Sequence, residues 1–332
     1  MKAADFAAAQ WSRATGAGVD PHEYRRVTDG LASVADWGPS LLRTGHAHLE
    51  RAQQAGSAVS AGEHLLTAAR WFHLATLAHD EAAPRAAAEA DAALTRALML
   101  LEPGARRLTG EGFTGWLRGP ADAPVVVVVP GLDSAKEEFL DLAAALLARG
   151  LAVCVLDGPG QGVRAATSVL TPAYEQVVGR VVDTLGAARV GLVGLVGLSL
   201  GGYFAARTAA LEPRVAAVAT VSGPFRLDWE RLPPPVRDIM ARRTGGADSA
   251  REFARQVDLT GLAPRIAAPL LVVDGGRDVI PGVSDGQALA RLAPQGTYLP
   301  VPHGDHLLGN ARPDWLPQLA DHLAHALKEA HA

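Results

Sequence analysis

The stretch VGLVGLVGLSLGGYFAA, residues 190–206, decides the fold. Its first part, Val190–Val196, is an apolar run typical of a buried strand, and the residues after it are helical in composition. Between them stands Gly-x-Ser-x-Gly, with Ser199 at the centre and Gly197 and Gly201 on either side. A chain that leaves a strand and enters a helix in one tight turn presents the central side chain at its apex. Larger residues at the two flanking positions would collide with neighbouring backbone, so glycine is required there.

From residue 104 onward, apolar runs alternate with helical stretches. The predicted strands are Val125–Val129, Leu151–Leu156, Val190–Val196, Val215–Val221 and Leu270–Val273. The predicted helices are Ala135–Arg149, Pro172–Ala187, Leu200–Leu211 and Trp315–Lys328. Continuous apolar runs of this length are typical of parallel strands that helices cover on both faces. The pattern therefore predicts an α/β fold with a mostly parallel sheet.

The N-terminal part of the chain differs in composition and in the spacing of its apolar residues. Residues 1–103 are alanine-rich, and their apolar residues recur three and four apart, as in Ala61–Ala75. This period predicts four to six helices, which we interpret as a cap or lid domain before a catalytic domain at 104–332. Residues 223–268 interrupt the later alternation with proline and glycine clusters and are a candidate second lid segment.

Ser199 is the first candidate for chemistry. Glycine-rich turns between a strand and a helix also cradle phosphates, but a phosphate loop needs a lysine that is absent here. The dinucleotide pattern G-x-G-x-x-G does not fit either, because the glycines fall at 191, 194, 197, 201 and 202. We therefore interpret Ser199 as a nucleophile. The Leu200 amide, at a helix N-terminus, would face a developing oxyanion.

A serine nucleophile needs a base and an orienting acid, which after this kind of turn follow in the order Ser, Asp, His. Asp274 ends the predicted strand Leu270–Val273 and is better placed to serve the turn, so we prefer Asp278 in the loop beyond. His303 and His306 follow a later short strand, and we prefer His306 as the base. A metal site at the histidine pair lacks an evident third ligand.

The loop after Val125–Val129 reads PGLDSAKEE, residues 130–138. Gly131 lets the backbone approach the serine, and the Leu132 amide is the predicted second oxyanion donor. Losing one such donor typically costs about 100- to 1,000-fold in rate. Asp133 can be a solvated acid at a helix N-terminus or a carboxylate that binds substrate at the pocket rim, and the residue types leave both interpretations open.

Composition excludes several classes of partner. A net charge of −4 with scattered arginines provides no nucleic-acid surface. The apolar runs are far shorter than the ~20 residues of a membrane span, and the N-terminus does not read as a signal peptide. The single cysteine, Cys154, is predicted to be a buried strand residue. We expect a cytoplasmic protein with no cofactor or metal; the oligomeric state stays open, although an apolar face of the N-terminal helices could pair two chains as a homodimer.

The catalytic half, roughly residues 105–330, resembles an α/β-hydrolase throughout. More narrowly, PGLDSAKEE at 130–138 and GLSLGGY at 197–203 resemble the group that contains 2,6-dihydroxypseudooxynicotine hydrolase and fungal hydrolases that shorten polyketide chains. Members of that group also place a helical domain before the catalytic one. The resemblance implies an α/β-hydrolase fold with a helical N-terminal cap.

The resemblance also implies a role for each candidate residue. Ser199, Asp278 and His306 would form the catalytic triad. Asp133 falls on an acid that the group uses, often as glutamate, and we expect Asp133 and Tyr203 to contact the substrate.

Members of this group hydrolyse carbon–carbon bonds next to a ketone. Ser199, or a water activated by His306, would attack the carbonyl, and His306 would protonate the departing carbon. Such a carbanion leaves only if a β-carbonyl or an enolic ring absorbs its charge. The implied substrate is therefore a small apolar 1,3-diketone or an aromatic polyketide.

Three other functions use the same residues. The first is an ordinary carboxylesterase or thioesterase, and the second is a lyase that eliminates an acyl group such as acetate in natural-product biosynthesis. The third is a binding protein on an inactive hydrolase scaffold, which the complete set of Ser199, Asp278 and His306 disfavours. The triad supplies the same base and oxyanion hole to every enzyme of this kind, so the sequence does not separate them.

Overall fold

The computed structural model describes residues 2–186, 193–284 and 286–330 of the chain. The chain divides into two compact units. The helical unit comprises Met1–Ala105 and Glu137–Asp141, and the sheet unit comprises Arg106–Lys136 and Leu142–Ala332. The short segment Glu137–Asp141 thus groups with the N-terminal helices, although in sequence it lies between strands of the sheet.

Five α-helices lie within residues 2–105, in the range of four to six predicted. They are α1 (Ala3–Gly16), α2 (Pro21–Thr28), α3 (Trp37–Gln54), α4 (Ala58–Ala75) and α5 (Ala83–Leu101). Side-chain caps define two of the starts. Asp20 accepts a hydrogen bond from the Glu23 amide at 2.8 Å, and Ser57 accepts one from the Ser60 amide at 3.1 Å. Each cap satisfies a backbone donor that the first helical turn leaves without a partner.

Aromatic side chains fill the core of the helical unit. Trp37, Trp71 and Tyr24 are all buried, and Phe6 meets Trp37 edge-on with ring centroids 4.8 Å apart. The Trp37 indole N–H donates to the Leu74 carbonyl at 2.7 Å, so the polar atom of this buried ring has a partner. Large rings with satisfied polar atoms give a rigid core to a unit built from alanine-rich helices.

The sheet unit is built on an eight-stranded sheet within the described residues. Its strands are β1 (Arg106–Gly110), β2 (Phe113–Arg118), β3 (Val125–Val129), β4 (Ala152–Asp157), β5 (Val193–Leu198), β6 (Val215–Val221), β8 (Leu270–Gly275) and β10 (Gly296–Val301), in the order β1-β2-β4-β3-β5-β6-β8-β10. From β4 to β10 in that order neighbouring strands are parallel, whereas β2 is antiparallel to both β1 and β4. A separate antiparallel pair is formed by β7 (Arg226–Leu227) and β9 (Val283–Ser284).

Helices alternate with these strands, which confirms the predicted α/β fold. They are α6 (Leu140–Leu147), α7 (Tyr174–Leu185), α8 (Leu200–Leu211), α9 (Pro234–Thr244), α10 (Ala247–Gln256), α11 (Gln287–Leu292) and α12 (Arg312–Glu329). Every residue of β3 and β4 is buried, as expected of strands covered on both faces. Cys154 lies in β4, and burial raises the pKa of its thiol to about 12. In the described part of the chain, no helix combines the length and apolar character that a membrane span needs.

Some of the predicted helix and strand boundaries agree with the structure and others differ from it. Val215–Val221 and Leu200–Leu211 agree with the prediction, whereas the predicted strand Val190–Val196 begins outside the described residues and is seen from Val193 onward. The predicted helix Pro172–Ala187 likewise ends at Ala187, outside the described residues. The predicted helix Ala135–Arg149 is instead a 3₁₀ turn followed by α6.

Residues 223–268, the candidate second lid segment, hold β7, α9 and α10. Trp229, Met240 and Phe253 from this segment are buried in the hydrophobic core of the sheet unit. The segment therefore packs as part of that unit.

Candidate active site

Ser199 stands at the turn between β5 and α8 with φ 54° and ψ −131°, a conformation that few non-glycine residues adopt. A Cβ at Gly197 would overlap the carbonyl of Gly201, and one at Gly201 would overlap the carbonyl of Val129. The Ser199 amide donates to the Val221 carbonyl at 2.8 Å, which ties the turn to β6. Packing thus holds Ser199 in a conformation whose cost is about 1–3 kcal/mol, as at many functional sites.

The structure brings His306 and Asp278 together with Ser199. The Nε2 atom of His306 lies 2.9 Å from Ser199 Oγ. Its Nδ1 atom lies 2.9 and 3.0 Å from the two carboxylate oxygens of Asp278. Because a carboxylate only accepts, Nδ1 carries the proton, and Nε2 is free to accept the hydrogen bond of the Ser199 hydroxyl. The side chain of His306 is 38% exposed and that of Asp278 12%.

The alternative acid and base lie elsewhere. Asp274 accepts a hydrogen bond from the Gly286 amide at 2.7 Å, the turn-supporting role weighed for it from the sequence. His303 is exposed, and its Nε2 lies 3.0 Å from Asp314. The structure therefore places Asp278 and His306, and neither Asp274 nor His303, beside the serine.

The loop that carries His306 is held in an unusual backbone conformation. Leu307 and Leu308 both have left-handed φ angles, of 66° and 51°. The Leu307 amide donates to Ser222 Oγ at 3.1 Å, and Ser222 itself has φ 52° at the end of β6. Ser222 was not predicted as a site residue. The signal available in the sequence was its position after the carboxyl end of a parallel strand, where sites in such sheets gather.

The loop after β3 approaches the serine turn closely. A Cβ at Gly131 would lie 2.9 Å from the Leu198 carbonyl and 3.1 Å from Ser199 Cβ, so only glycine fits without a shift. Leu132, the next residue, and Leu200, the first residue of α8, line the same pocket as Ser199. Both residues whose amides are predicted to hold an oxyanion therefore line the pocket at the serine.

A pocket of about 60 Å³ lies at Ser199 and His306 within the sheet unit. Its polar lining comes from Ser199, His306 and Ser222. Its apolar lining comes from Leu132, Leu200, Pro224, Leu227, Leu232, Val236, Met240, Ile280 and Val283. The atoms next to the serine hydroxyl are therefore surrounded by hydrocarbon, which favours an apolar group beside the reacting carbonyl.

A second, larger cavity of about 290 Å³ is also lined by His306. It shares Ser222, Ile280 and Val283 with the first pocket and is also lined by Asp278 and Tyr298. His306 therefore borders both a small apolar pocket and a larger, more polar cavity. Among the described residues, no three His, Cys, Asp or Glu side chains converge in a way that could hold a metal ion.

The two residues expected to contact substrate have different positions. Tyr203 is fully buried in the core of the sheet unit, and its hydroxyl donates to the Gln256 carbonyl at 2.7 Å. Since α8 turns this side chain inward, the structure does not support the expected substrate contact by Tyr203. Asp133 is half-buried next to Leu132 and lines neither of the two cavities described above.

The arrangement can transfer a proton from a serine hydroxyl to an imidazole whose far nitrogen is held by a carboxylate. It can also stabilise negative charge on an oxygen near Ser199 through backbone amides. These are the elements of acyl transfer to serine.

Known proteins resemble this chain in sequence. The family model described as serine aminopeptidase, S33, matches residues 120–247. The chain is 31% identical over 261 residues to 2,6-dihydropseudooxynicotine hydrolase of Paenarthrobacter nicotinovorans, with 74% of this chain and 71% of the relative covered. It is 38% identical over 129 residues to 20-hydroxy-prefusarin hydrolase of Gibberella moniliformis, with 35% and 30% covered. The first similarity spans most of both chains, and the second about a third of each.

Solved structures resemble it as well. The crystal structure of 2,6-dihydroxy-pseudo-oxynicotine hydrolase superposes with a TM-score of 0.84 at 28% identity, covering 96% of this chain and 95% of that one. AbyA5 superposes with a TM-score of 0.72 at 22% identity, covering 88% and 89%. The second likeness shows the fold alone. Together they confirm the predicted fold class, an α/β sheet preceded by a helical region.

Proposed function

The chain belongs to the α/β-hydrolase family that includes 2,6-dihydropseudooxynicotine hydrolase, and on that premise we propose that it hydrolyses a carbon–carbon bond next to a ketone. The substrate we propose is an apolar 1,3-diketone or polyketide-like molecule of specialised metabolism. The observation that carries the proposal is the hydrogen-bonded series of Ser199, His306 and Asp278, whose serine and histidine line an apolar pocket. The relatives named above, hydrolases of small molecules, support the reaction type.

In the proposed first step, Ser199 Oγ attacks the ketone carbon and its proton moves to His306 Nε2. The carbonyl oxygen becomes an oxyanion, which the amides of Leu132 and Leu200 hold. Asp278 accepts from His306 Nδ1 and stabilises the imidazolium that has formed. The 2.9 Å separation of Ser199 and His306 is a distance at which this proton transfer needs no rearrangement.

In the next step the oxyanion collapses and the bond between the former carbonyl carbon and its α-carbon breaks. The electron pair of that bond moves into the β-carbonyl as an enolate, and His306 returns its proton to the leaving carbon. Water then gives a proton to His306 and attacks the acyl-serine. Collapse of the second tetrahedral intermediate releases a carboxylic acid and reprotonates Ser199. No step needs a redox partner, because the reaction is a net hydrolysis.

Substrate recognition follows from the pocket. The hydrocarbon wall at Leu232, Val236 and Met240 favours an apolar substituent on the reacting carbonyl and disfavours a charged one, whose burial would go uncompensated. Asp133 remains our candidate for a polar contact at the rim. The covering role of residues 1–103, the cytoplasmic location and the homodimer stay predictions from the sequence.

A labelling experiment tests the nucleophile. We expect a fluorophosphonate probe to label the wild-type protein and to leave Ser199→Ala unlabelled. Ser60→Ala, which removes an exposed serine of α4, is the matched control and should label like the wild type. An unlabelled wild type would favour a binding protein over an enzyme.

A substrate panel tests the reaction. The purified protein is assayed on 1,3-diketones, aryl esters and acetylated alcohols, with products identified by mass. We expect diketone cleavage that Ser199→Ala reduces about a million-fold, the typical cost of removing a serine nucleophile. Turnover of esters with diketones untouched would assign an esterase instead, and release of acetate with an alkene product would assign a lyase.

A further inference from the structure

Gln161 is a fully buried polar residue in the turn after β4. Its Nε2 donates to the carbonyls of Pro130 and Gly131, at 2.6 and 2.9 Å. Its Oε1 accepts from the Gly158 amide at 3.0 Å and from the Tyr174 hydroxyl at 2.7 Å. All the hydrogen bonds that the amide group needs when buried are therefore made, two as donor and two as acceptor.

These partners allow one orientation of the Gln161 amide. A rotation by 180° would turn its oxygen towards two carbonyls and its nitrogen towards two donors. Burial raises the pKa of the Tyr174 phenol well above its usual range, so this hydroxyl stays protonated and remains a donor. Tyr174 is itself fixed by stacking on Phe204, with ring centroids 4.3 Å apart. The hydrogen bonds from Gly158 and Tyr174 to Gln161 Oε1 thus direct Nε2 towards the carbonyls of Pro130 and Gly131.

The Gly131 carbonyl and the Leu132 amide belong to the same peptide group. In a trans peptide the C=O and N–H bonds point in opposite directions within one plane. A donor that holds the Gly131 oxygen on one side therefore turns the Leu132 N–H to the other side. That N–H is the proposed oxyanion donor, and Gly131 lies against Ser199.

The other end of the same loop is held by a second buried group. Asp157 accepts from the Lys136 amide at 2.9 Å and from Lys136 Nζ at 2.7 Å, and both side chains are fully buried. The loop is thereby fastened at Pro130–Gly131 and again at Lys136. Of these two attachments, the one at the Gly131–Leu132 peptide is made by Gln161.

We propose that Gln161 is a positioning residue for the oxyanion hole: its side-chain amide fixes the plane of the Gly131–Leu132 peptide so that the Leu132 N–H faces Ser199. This inference rests on the proposed function, because it assigns a role within the same acyl-transfer site.

Three variants, with a fourth in reserve, distinguish a positioning role of Gln161 from a packing role. Gln161→Glu keeps the acceptor for Gly158 and Tyr174 and removes both donors, whereas Gln161→Met keeps the volume and removes all four hydrogen bonds. Tyr174→Phe is the matched control, since it removes one bond on the acceptor side, whereas the Gly158 amide still orients the Gln161 side chain and both donors stay in place. Gln161→Asn keeps the amide on a shorter side chain and serves if the other two Gln161 variants do not fold.

The measurements are kcat and KM on the best substrate of the wild type, the affinity for an aryl trifluoromethyl ketone, and the melting temperature. Such a ketone forms a hemiketal with serine whose oxygen occupies the oxyanion position. Loss of a whole donor costs about 100- to 1,000-fold, and a misaligned donor should cost less. We expect kcat and inhibitor affinity to fall together by about 10- to 100-fold in Gln161→Glu and Gln161→Met, with KM within about threefold. Tyr174→Phe should stay within about threefold on every kinetic measure.

The result that overturns the inference is a folded Gln161 variant with wild-type kcat and inhibitor affinity. Equal losses in Gln161→Met and Tyr174→Phe would also overturn it, because they would indicate general packing. A wild type that binds no trifluoromethyl ketone and takes no fluorophosphonate label would instead defeat the proposed function itself.

Discussion

Each unit of the molecule contains histidine–carboxylate pairs, and two of these pairs, one from each unit, differ in their third partner. In the sheet unit, His306 lies 2.9 Å from Asp278 and its other nitrogen meets the Ser199 hydroxyl. In the helical unit, His73 lies 3.0 Å from Glu138, and that carboxylate also meets the Arg13 guanidinium. The comparison teaches that the pair alone does not make a reactive site.

The charges explain part of the difference. Burial acts to raise the pKa of Glu138, but the Arg13 guanidinium, at 2.7 and 2.8 Å, and the hydrogen bond from His73 hold it at about 2. A carboxylate so neutralised by arginine stabilises the fold. Asp278 directs both oxygens to the imidazole of His306 and so supports the charge that appears there when Ser199 loses its proton.

Exposure and backbone strain explain the rest. The side chain of His73 is 2% exposed and that of His306 38%, so a substrate can reach only the second. Within the described residues, five non-glycine residues have left-handed φ angles. Four of them are Ser199, Ser222, Leu307 and Leu308, beside or within the loops of the candidate site. Strain of this kind is tolerated where the geometry serves a function.

The largest difference between the two pairs is expected when each carboxylate is replaced by the corresponding amide. Asp278→Asn should reduce kcat about 10,000-fold, because the amide cannot hold the Nδ1–H tautomer of His306. Steady-state kinetics on the best substrate measures the loss, and Glu138→Gln is the matched control, expected to change kcat by less than about threefold. Similar losses in both variants would mean that Asp278 acts only through folding.

Much of the sheet unit and of its candidate site could be predicted from the sequence. The strands, the serine turn and the order Ser199, Asp278, His306 are local patterns, because strand periodicity and a glycine-flanked serine are read within a few residues. Asp278 was separable from Asp274 by its place beyond the strand end. Sequence order alone did not give the distances that bring these side chains together.

The supporting residues were not predictable, because their partners are distant in sequence. Gln161 binds a carbonyl 31 residues away, Ser222 an amide 85 residues away, and Glu138 a guanidinium 125 residues away. None of these contacts leaves a periodic or motif signature. Tyr203 shows the opposite error, since the family resemblance implied a substrate contact, whereas α8 directs the side chain into the core.

A smaller effect on kcat is expected from substitutions at Ser222. Two such variants distinguish the contribution of its hydrogen bond from that of its backbone strain at the His306 loop. Ser222→Ala removes the acceptor of the Leu307 amide and should loosen the His306 loop. We expect kcat to fall roughly tenfold, which corresponds to about 1.4 kcal/mol, the upper range for one hydrogen bond. Ser222→Gly also lacks the hydroxyl but relieves the left-handed φ. If the hydroxyl matters, both variants lose activity; a loss in the alanine variant alone would assign the effect to strain.

The smallest effect on activity, and a clear one on stability, is expected for Glu138→Gln. It leaves the Arg13 guanidinium without its buried carboxylate and should lower the free energy of unfolding by about 3 kcal/mol at pH 7, measured by urea titration. Because the pKa of Glu138 falls from its usual value of 4.5 to about 2 on folding, its contribution is fully present above pH 4.5 and is lost as pH falls towards 2. The gap between wild type and variant should therefore be constant from pH 7 to 5 and shrink at pH 4 and 3. A gap that stayed constant down to pH 3 would show that the carboxylate charge is not what stabilises this pair, and the contrast with Asp278 would then rest on exposure and backbone strain.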